Sequence, residues 1–249
     1  MRVTSGDPVS DTALALIAAV AGGMASVTGF GIGSLLTPAL SVRVPLKLAV
    51  AIVSVPHFIG TAVRFWMLRG HVNRRVLLTF GLASAAGGLA GALLHTRLAS
   101  PVLSGVFGAL LLFVAVTQFT GAADRIRFSE TVAMVAGALS GLLGGLVGNQ
   151  GGIRSAGLLG FEMPKETFVA TATAIGLMVD AARMPVYLAA EGRQMSQFGA
   201  PIFAMILGVL FGTIAGARAL RRVPQRWFRT IIAIVLAALG IAMIVQAMQ

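Results

Sequence analysis

The sequence has no cysteine, only three histidines and only eight acidic residues among its 249 positions. The absence of cysteine excludes disulfide bonds, thiolate metal sites and cysteine nucleophiles. So few histidines and carboxylates also leave little material for acid–base catalysis, and we therefore expect no enzyme, no metal site and no cofactor. Charge is scarce, since 11% of the residues are charged while 57% are hydrophobic. With a mean hydropathy of +0.92, the chain is not an ordinary water-soluble domain, and we predict that it is embedded in a bilayer.

The charge that is present is mostly positive, with a formal net charge of +11. Most of the basic residues lie in short segments between apolar runs, where they would face lipid headgroups. We interpret them as determinants of membrane topology and expect membrane lipid, not nucleic acid, as their partner. Residues 1–11 are polar and lack the cationic-then-apolar order of a cleaved signal peptide, so we expect no segment to be removed.

Eight apolar runs, most of them near the roughly 20 residues that a helix needs to cross a bilayer, recur along the chain. They do not alternate apolar with polar residues as the strands of a membrane barrel do. We therefore predict an all-α membrane protein with a single transmembrane domain, residues 1–249. Trp66, Tyr187 and Trp227 fall near run ends and are predicted to be interfacial anchors. The runs are residues 12–27, 46–68, 76–94, 102–119, 131–147, 167–190, 198–217 and 228–248.

Two further apolar pieces, 34–42 and 155–161, follow the first and fifth runs after glycine-rich breaks, and each is too short to cross. They occupy equivalent places in two halves of the chain, repeat one (1–120) and repeat two (121–249). We interpret this as an internal duplication, which is common in transporters. The alternative is coincidence among the 31 glycines. A shift of 119 residues pairs Gly22 with Gly141, Gly29 with Gly148, Gly33 with Gly152, Pro45 with Pro164 and Arg64 with Arg183, and a shift of 125 pairs Gly87 with Gly212 and Gly91 with Gly216.

The basic residues distinguish two membrane topologies for these halves. If all eight runs cross, the Lys and Arg residues near the ends of the runs and between them, without Arg64, Arg154 and Arg183, divide seven against nine between the two sides. If the first and fifth runs instead dip in and return as re-entrant hairpins, the division is eleven against five, which fits the cytoplasmic excess of positive charge better. This arrangement predicts two inverted structural repeats, each a re-entrant glycine-broken helical hairpin plus about three transmembrane helices. It also puts both termini outside.

The two glycine-rich breaks are the leading candidate for a substrate site. Irregular backbone at membrane depth is tolerated where it is buried in protein or lines a wet cavity, so we expect the two breaks to meet near the midplane. Short helices would begin there, and their free N–H groups and positive dipole ends suit an anion. The alternative is that these glycines only permit close helix packing. The predicted binding residues of the breaks are Gly29, Phe30, Gly31, Gly33, Ser34, Asn149, Gln150, Gly151, Gly152 and Arg154.

A polar stripe follows one face of the second apolar run, within an arc of roughly 80° on a helix, and is echoed in the sixth run. Ionisable groups inside a span are expensive and usually functional. The alternatives are that Asp180 and Arg183 only neutralise each other and that Arg64 reaches the interface. His57 is either a neutral hydrogen-bonding group or a protonatable group that couples anion movement to proton movement. The predicted binding residues of the stripe are Ser54, His57, Thr61, Arg64, Thr173, Asp180 and Arg183.

The stretch 29–38, with Pro45 at the start of the next helix, and its echo from Gly141 to Pro164 resemble the sulfite exporter TauE/SafE family. The likeness covers nearly the whole chain. It implies two related halves with glycine-rich tips and the transport of sulfite, thiosulfate or an organosulfonate across a bacterial inner membrane. The sequence departs from this pattern in the residues before Gly151 and at Gly157, which stands where the first half has a proline.

We therefore expect a secondary transporter in which a small sulfur oxyanion or organosulfonate binds between the breaks and is exposed to each side in turn. Three alternatives stay open: an intramembrane hydrolase built on Ser34 or Ser155, an anion channel with the breaks as its filter, and a purely structural membrane subunit. Neither serine stands in a Gly-x-Ser-x-Gly motif, and the sequence places no histidine beside either one. The direction of transport and the oligomeric state do not follow from the sequence.

Overall fold

The computed structural model describes residues 9–29, 31–120, 130–149, 151–159, 161, 163–216 and 225–248. Every regular element in these residues is helical, as the apolar runs predict. Single 3₁₀ turns cover Arg69–His71 and Ser196–Phe198, and π-helical turns cover Leu77–Gly81 and Gly212–Gly216. The α-helices are α1 Asp11–Thr28, α2 Ile32–Ser41, α3 Leu46–Leu68, α4 Arg74–Val76, α5 Leu82–Arg97, α6 Ser100–Thr120, α7 Glu130–Val147, α8 Gly151–Leu159, α9 Lys165–Met195, α10 Gly199–Phe211 and α11 Gln225–Ala247.

Within the described residues, four helical stretches are long and apolar enough to cross a membrane. Large apolar side chains point outward along them, for example Phe113, Phe203 and Phe211, as expected where lipid is the solvent. The chain is therefore a membrane protein. The four stretches are Leu46–His71, Arg74–Arg97, Ser100–Thr117 and Glu166–Ala215, and shorter apolar helices cover Asp11–Ser26, Ile32–Ser41, Thr131–Val147 and Ala233–Ala247.

Most helices agree closely with the apolar runs, and the differences are at their ends. α3 has the bounds of the second run, whereas α9 continues past the sixth run to Met195. Its 31 residues give a length of about 46 Å, well beyond the roughly 30 Å of hydrocarbon. Polar residues extend it, since Gln194 donates a hydrogen bond to Glu191 within the last turns. Apolar content alone therefore places the end of this helix too early.

The helices pack in pairs around the contact between α3 and α9. α1 lies against α10, α7 against α5, and α6 against α11. Glycine allows these close approaches, because a Cβ on Gly22 would collide with the carbonyl of Val209 and a Cβ on Gly141 with the carbonyl of Ser84. Helix packing accounts for these two glycines.

The helix bounds repeat along the chain with the offset found in the sequence. α7 begins and ends 119 residues after α1, and α9 begins 119 residues after α3. The close contacts repeat as well: Gly22 with Val209 corresponds to Gly141 with Ser84, since the glycines are 119 residues apart and their partners 125. Both offsets found in the sequence thus recur in the packing.

One of the three predicted interfacial anchors is wrong. Tyr187 is 0% exposed and donates its hydroxyl hydrogen to the carbonyl of Gly145. Its position near the end of an apolar run misleads because α9 continues for two more turns. Trp66 is 66% exposed, with the Arg69 guanidinium 3.8 Å from its ring centroid. The side chain of Trp227 and the basic segment from Arg218 to Arg222 lie outside the described residues.

Candidate anion-binding site

Both glycine-rich breaks end a long helix with a glycine of positive φ. Gly29 closes α1 with φ 81°, and Gly148 closes α7 with φ 76°. The amide of Gly29 donates to the carbonyl of Ala25, and the amide of Gly148 donates to that of Gly144, so each break closes with the same turn. Gly31, with φ 134°, then caps the start of α2. Glycine is required at these positions because other residues rarely adopt positive φ.

The two breaks lie against each other inside the protein. Arg154, from α8, donates from Nη2 to the carbonyl of Gly29 at 2.9 Å. Gly33, in the first turn of α2, faces the carbonyl of Gly148 so closely that a Cβ would collide with it. Thr37 Oγ1 lies 3.6 Å from the place that a Cβ on Gly148 would occupy. We call the described residues of the segments 29–37 and 148–154 the break junction.

Three side chains donate to the carbonyls at the end of α7. Arg183 Nη1 bonds the carbonyl of Gly144 at 2.5 Å, Tyr187 bonds that of Gly145, and His95 Nδ1 bonds that of Leu146 at 2.7 Å. The last carbonyls of a helix have no partner within it and carry its negative dipole end. These donors satisfy and partly neutralise that end.

Asp180 is the centre of a buried ionic network on α9. Its Oδ2 lies 2.6 Å from His57 Nδ1, and its Oδ1 lies 2.8 Å from Arg183 Nη2. Because a carboxylate only accepts hydrogen bonds, Nδ1 of His57 carries the proton that it donates. Thr61 Oγ1 lies 3.5 Å from the same Nδ1. Asp180 and Arg183 do neutralise each other, and the network joins α3 to α9.

Arg64 and Arg154 are buried without an acidic partner in the described part of the chain. Arg64 is 4% exposed and donates from Nε to Thr173 Oγ1 at 3.0 Å, so it does not extend to the interface. Arg154 is 2% exposed, and its Nη1 lies 2.8 Å from the place that a Cβ on Gly176 would occupy. Thr173 and Gly176 are one helical turn apart on α9, so both guanidinium groups lie against the same stretch of that helix.

Several buried polar atoms around the break junction have no hydrogen-bond partner among the described residues. Four of these atoms are nitrogens of two arginines and an asparagine, which can only donate hydrogen bonds, and the fifth is a threonine hydroxyl, which can also accept. Buried polar atoms normally have partners, so such a group needs an explanation. The atoms are Arg154 Nε and Nη1, Arg64 Nη1, Asn149 Nδ2 and Thr37 Oγ1.

The structure brings together ten of the residues predicted from the sequence, and one stands apart. Ser54 donates to the carbonyl of Ala51 in its own helix at 2.6 Å. Ser34, Gly31 and Gly151 are buried at the starts of α2 and α8, and Gly152 follows in α8. Phe30 and Gln150 lie outside the described residues. The ten are Gly29, Gly33, Asn149, Arg154, His57, Thr61, Arg64, Thr173, Asp180 and Arg183.

Three residues of the site were not predicted from the sequence. Thr37 lies one helical turn after Ser34 of the first break, and Tyr187 lies one turn after Arg183 of the second polar stripe. Extending that break and that stripe by one turn would have found them. His95 gives no such indication, because its partner carbonyl is 51 residues away along the chain.

One of three comparisons with known proteins identifies a family for this chain. Searches of curated proteins and of solved structures found no match. The model of the family described as Sulfite exporter TauE/SafE matches residues 14–243, which is nearly the whole chain. The resemblance found in the sequence is confirmed, and the chain belongs to the sulfite exporter TauE/SafE family.

Proposed function

We propose that this protein is a secondary transporter that carries a small sulfur-containing anion, such as sulfite, thiosulfate or an organosulfonate, across the bacterial inner membrane. The anion binds at the break junction. The family supports a membrane transporter of the sulfite-exporter type. The choice of site is supported by the unpartnered buried donors of Arg64, Arg154 and Asn149, which are the observation that carries the proposal. An oxyanion accepts hydrogen bonds from all sides and satisfies them.

The helix ends at the break junction also favour an anion. α1 and α7 end there with negative dipole ends, and α2 and α8 begin there with positive ones. The negative ends are covered: Arg154 donates to Gly29 in one break, while Arg183 and two further side chains donate at the end of α7. The positive ends of α2 and α8 therefore determine the field that a solute meets.

The transport cycle in this proposal uses two inverted repeats. Each contributes a re-entrant hairpin, α1 with α2 and α7 with α8, and about three crossing helices. The repeated offsets of helix bounds and glycine contacts support the duplication. α2 and α8 have 10 and 9 residues, or about 15 Å each, too short to cross a bilayer. Such pairs of broken helices hold the substrate in other transporters built from inverted repeats.

Alternating access is favoured over an open channel because the junction is enclosed. Asp180, Thr173, Thr37 and Arg154 are all almost completely buried. An anion reaches them only after the helices move. The hydrolase alternative gains no support, since Nδ1 of His57 faces Asp180 and Nδ1 of His95 faces a backbone carbonyl, not a serine.

A proton accompanies the anion in this proposal, with His57 as the group that carries it. His57 is buried between α3 and α9 and bonds to the one described acid at the site, Asp180. Of the described groups at the site, its imidazole is the one that ordinarily changes charge near neutral pH.

Counterflow in proteoliposomes tests the proposal. Vesicles loaded with unlabelled sulfite or thiosulfate should accumulate labelled thiosulfate, and an imposed pH gradient should change the rate in the parent but not in His57→Gln. Arg69→Gln, an exposed arginine outside the site, is the matched control. Transport without counterflow would indicate a channel, and no movement of any sulfur anion by folded protein would contradict the function.

A further inference from the structure

The break junction contains more buried positive than negative charge. Arg154 belongs to it, and Arg183 Nη1 lies 3.7 Å from the place that a Cβ on Gly148 would occupy. Arg64 lies against the same stretch of α9 as Arg154. The described residues supply one opposing carboxylate, Asp180. The next acid along α9 is Glu191, about 16 Å beyond Asp180, where it accepts from Gln194. With His57 neutral, two positive charges are uncompensated, and a proton carried by His57 adds a third.

Buried charges of one sign are unfavourable unless a counter-charge reaches them. Arg183 has its counter-charge in Asp180. Among the described residues, Arg64 has only the hydroxyl of Thr173 as a partner, and Arg154 has only the carbonyl of Gly29. A solute with two negative charges would balance both arginines, whereas a solute with one would leave a buried cation unpaired.

The unpartnered atoms restrict the solute further. Arg64, Arg154 and Asn149 offer donors only, and Thr37 is the one orphaned group of the described junction that can accept. A protonated oxyanion carries an O–H that needs an acceptor. A fully deprotonated oxyanion needs none and can use every donor.

We propose that the break junction selects small, fully deprotonated divalent oxyanions over monovalent ones, and that Arg64 and Arg154 together set this charge preference. Sulfite would then be carried as the dianion in preference to bisulfite, and thiosulfate in preference to a simple alkyl sulfonate. This inference rests on the proposed function, because it assigns the charge of the solute at that same site.

Two anions of similar size and fixed charge test the preference: thiosulfate, with two charges, and methanesulfonate, with one. In counterflow with the parent protein, the transport rate of thiosulfate should exceed that of methanesulfonate by about tenfold or more. The reason is that a buried charged donor left without a partner lowers the affinity for the anion strongly. Arg64→Gln and Arg154→Gln should each reduce or reverse that ratio. Arg64→Lys should keep it, because it keeps the charge, and Arg69→Gln should leave both rates unchanged.

Equal transport of the two anions by the parent protein, or a preference for methanesulfonate, would overturn the charge assignment and leave the sulfur-anion transporter intact. This outcome needs no variant, so misfolding of a glutamine substitution does not decide the matter. A sulfur-free pair, oxalate and acetate, separates the two proposals in thermal-shift binding. If oxalate binds over acetate and no sulfur anion does, the charge preference stands and the sulfur substrate fails. If no anion binds, both fail.

Discussion

Arg64 and Arg183 stand at equivalent positions on α3 and α9, 119 residues apart, and their surroundings differ completely. Arg183 contacts the Asp180 carboxylate through two nitrogens and donates to the end of α7. Arg64 has one hydroxyl as its partner and one orphaned nitrogen. At the same register of the two helices, the described protein supplies partners for the guanidinium group of Arg183 but leaves that of Arg64 partly without them.

This difference separates a residue that holds the fold from one that is available to a ligand. Removing one member of a buried ion pair destabilises the fold, because the other member is left as an uncompensated buried charge. A buried arginine without a counter-charge destabilises the protein when no ligand is bound, and a bound anion relieves this destabilisation. The following substitutions test the distinction, because they predict opposite changes in stability at the two arginines.

Arg183→Ala should have the largest effect. It leaves the buried Asp180 without its cation and removes the side-chain donor to the Gly144 carbonyl, so we expect a loss of about 3–5 kcal/mol of stability. Thermal unfolding in detergent measures it, with Arg69→Ala as the control. Asp180→Asn combined with Arg183→Met should recover much of the loss. If Arg183→Ala unfolds at the parent temperature, the pair does not hold the fold.

Arg64→Gln should lose anion binding yet keep the fold. A hydrogen bond to a charged group contributes about 1.5–3 kcal/mol, so affinity should fall tenfold or more. In the absence of anion its melting temperature should equal or exceed that of the parent, since an unpaired buried charge has been removed. Thiosulfate-dependent stabilisation in thermal-shift assays measures both effects. A variant that unfolds easily but binds normally would assign Arg64 to the fold.

Tyr187→Phe should have an intermediate effect on stability alone. It removes one donor from the end of α7 and leaves the Gly145 carbonyl unsatisfied among apolar groups, which costs about 1–3 kcal/mol. Anion affinity should change little, because Tyr187 lies a helical turn beyond the ionic network. A large loss of affinity at unchanged stability would instead place this hydroxyl at the ligand.

The smallest effects are expected at Thr173 and Ser54, which occupy equivalent positions 119 residues apart. Thr173→Ala removes the partner that orients Arg64 and should weaken binding by about 0.5–1.5 kcal/mol. Ser54→Ala removes a bond within its own helix and should change affinity less than that. Titrations of the two variants side by side give the order. Equal losses of anion affinity in the two variants would contradict the proposal that Thr173 orients a binding residue and Ser54 does not.

The sequence predicts the helices and the breaks well because strong local effects determine them. Pro45 and Pro164 begin α3 and α9, and Gly29 and Gly148 end α1 and α7. Proline and glycine act through their own backbone, so their effect can be predicted from the sequence without knowledge of tertiary contacts. The polar stripe of α3 is equally local, because the helical repeat alone puts its members on one face.

The partners of these residues were not predictable in the same way. Arg154 reaches a carbonyl of the other break, 125 residues away along the chain, and His95 reaches one 51 residues away. Tyr187 was misassigned because an apolar run does not mark where a helix ends when polar residues continue it. Long-range contacts depend on how the helices pack, and a periodic pattern within one helix carries no information about them.

The three donors at the end of α7 have a mechanical consequence. They come from α5 and α9, so pulling α7 away from either helix would strip buried carbonyls of their donors, at about 1–3 kcal/mol each. We therefore expect these three helices to move together in any rearrangement that opens the protein. Among the described residues one hydrogen bond, from Arg154 to Gly29, joins the two breaks, so we expect the two breaks to separate more easily than α7 separates from α5 or α9.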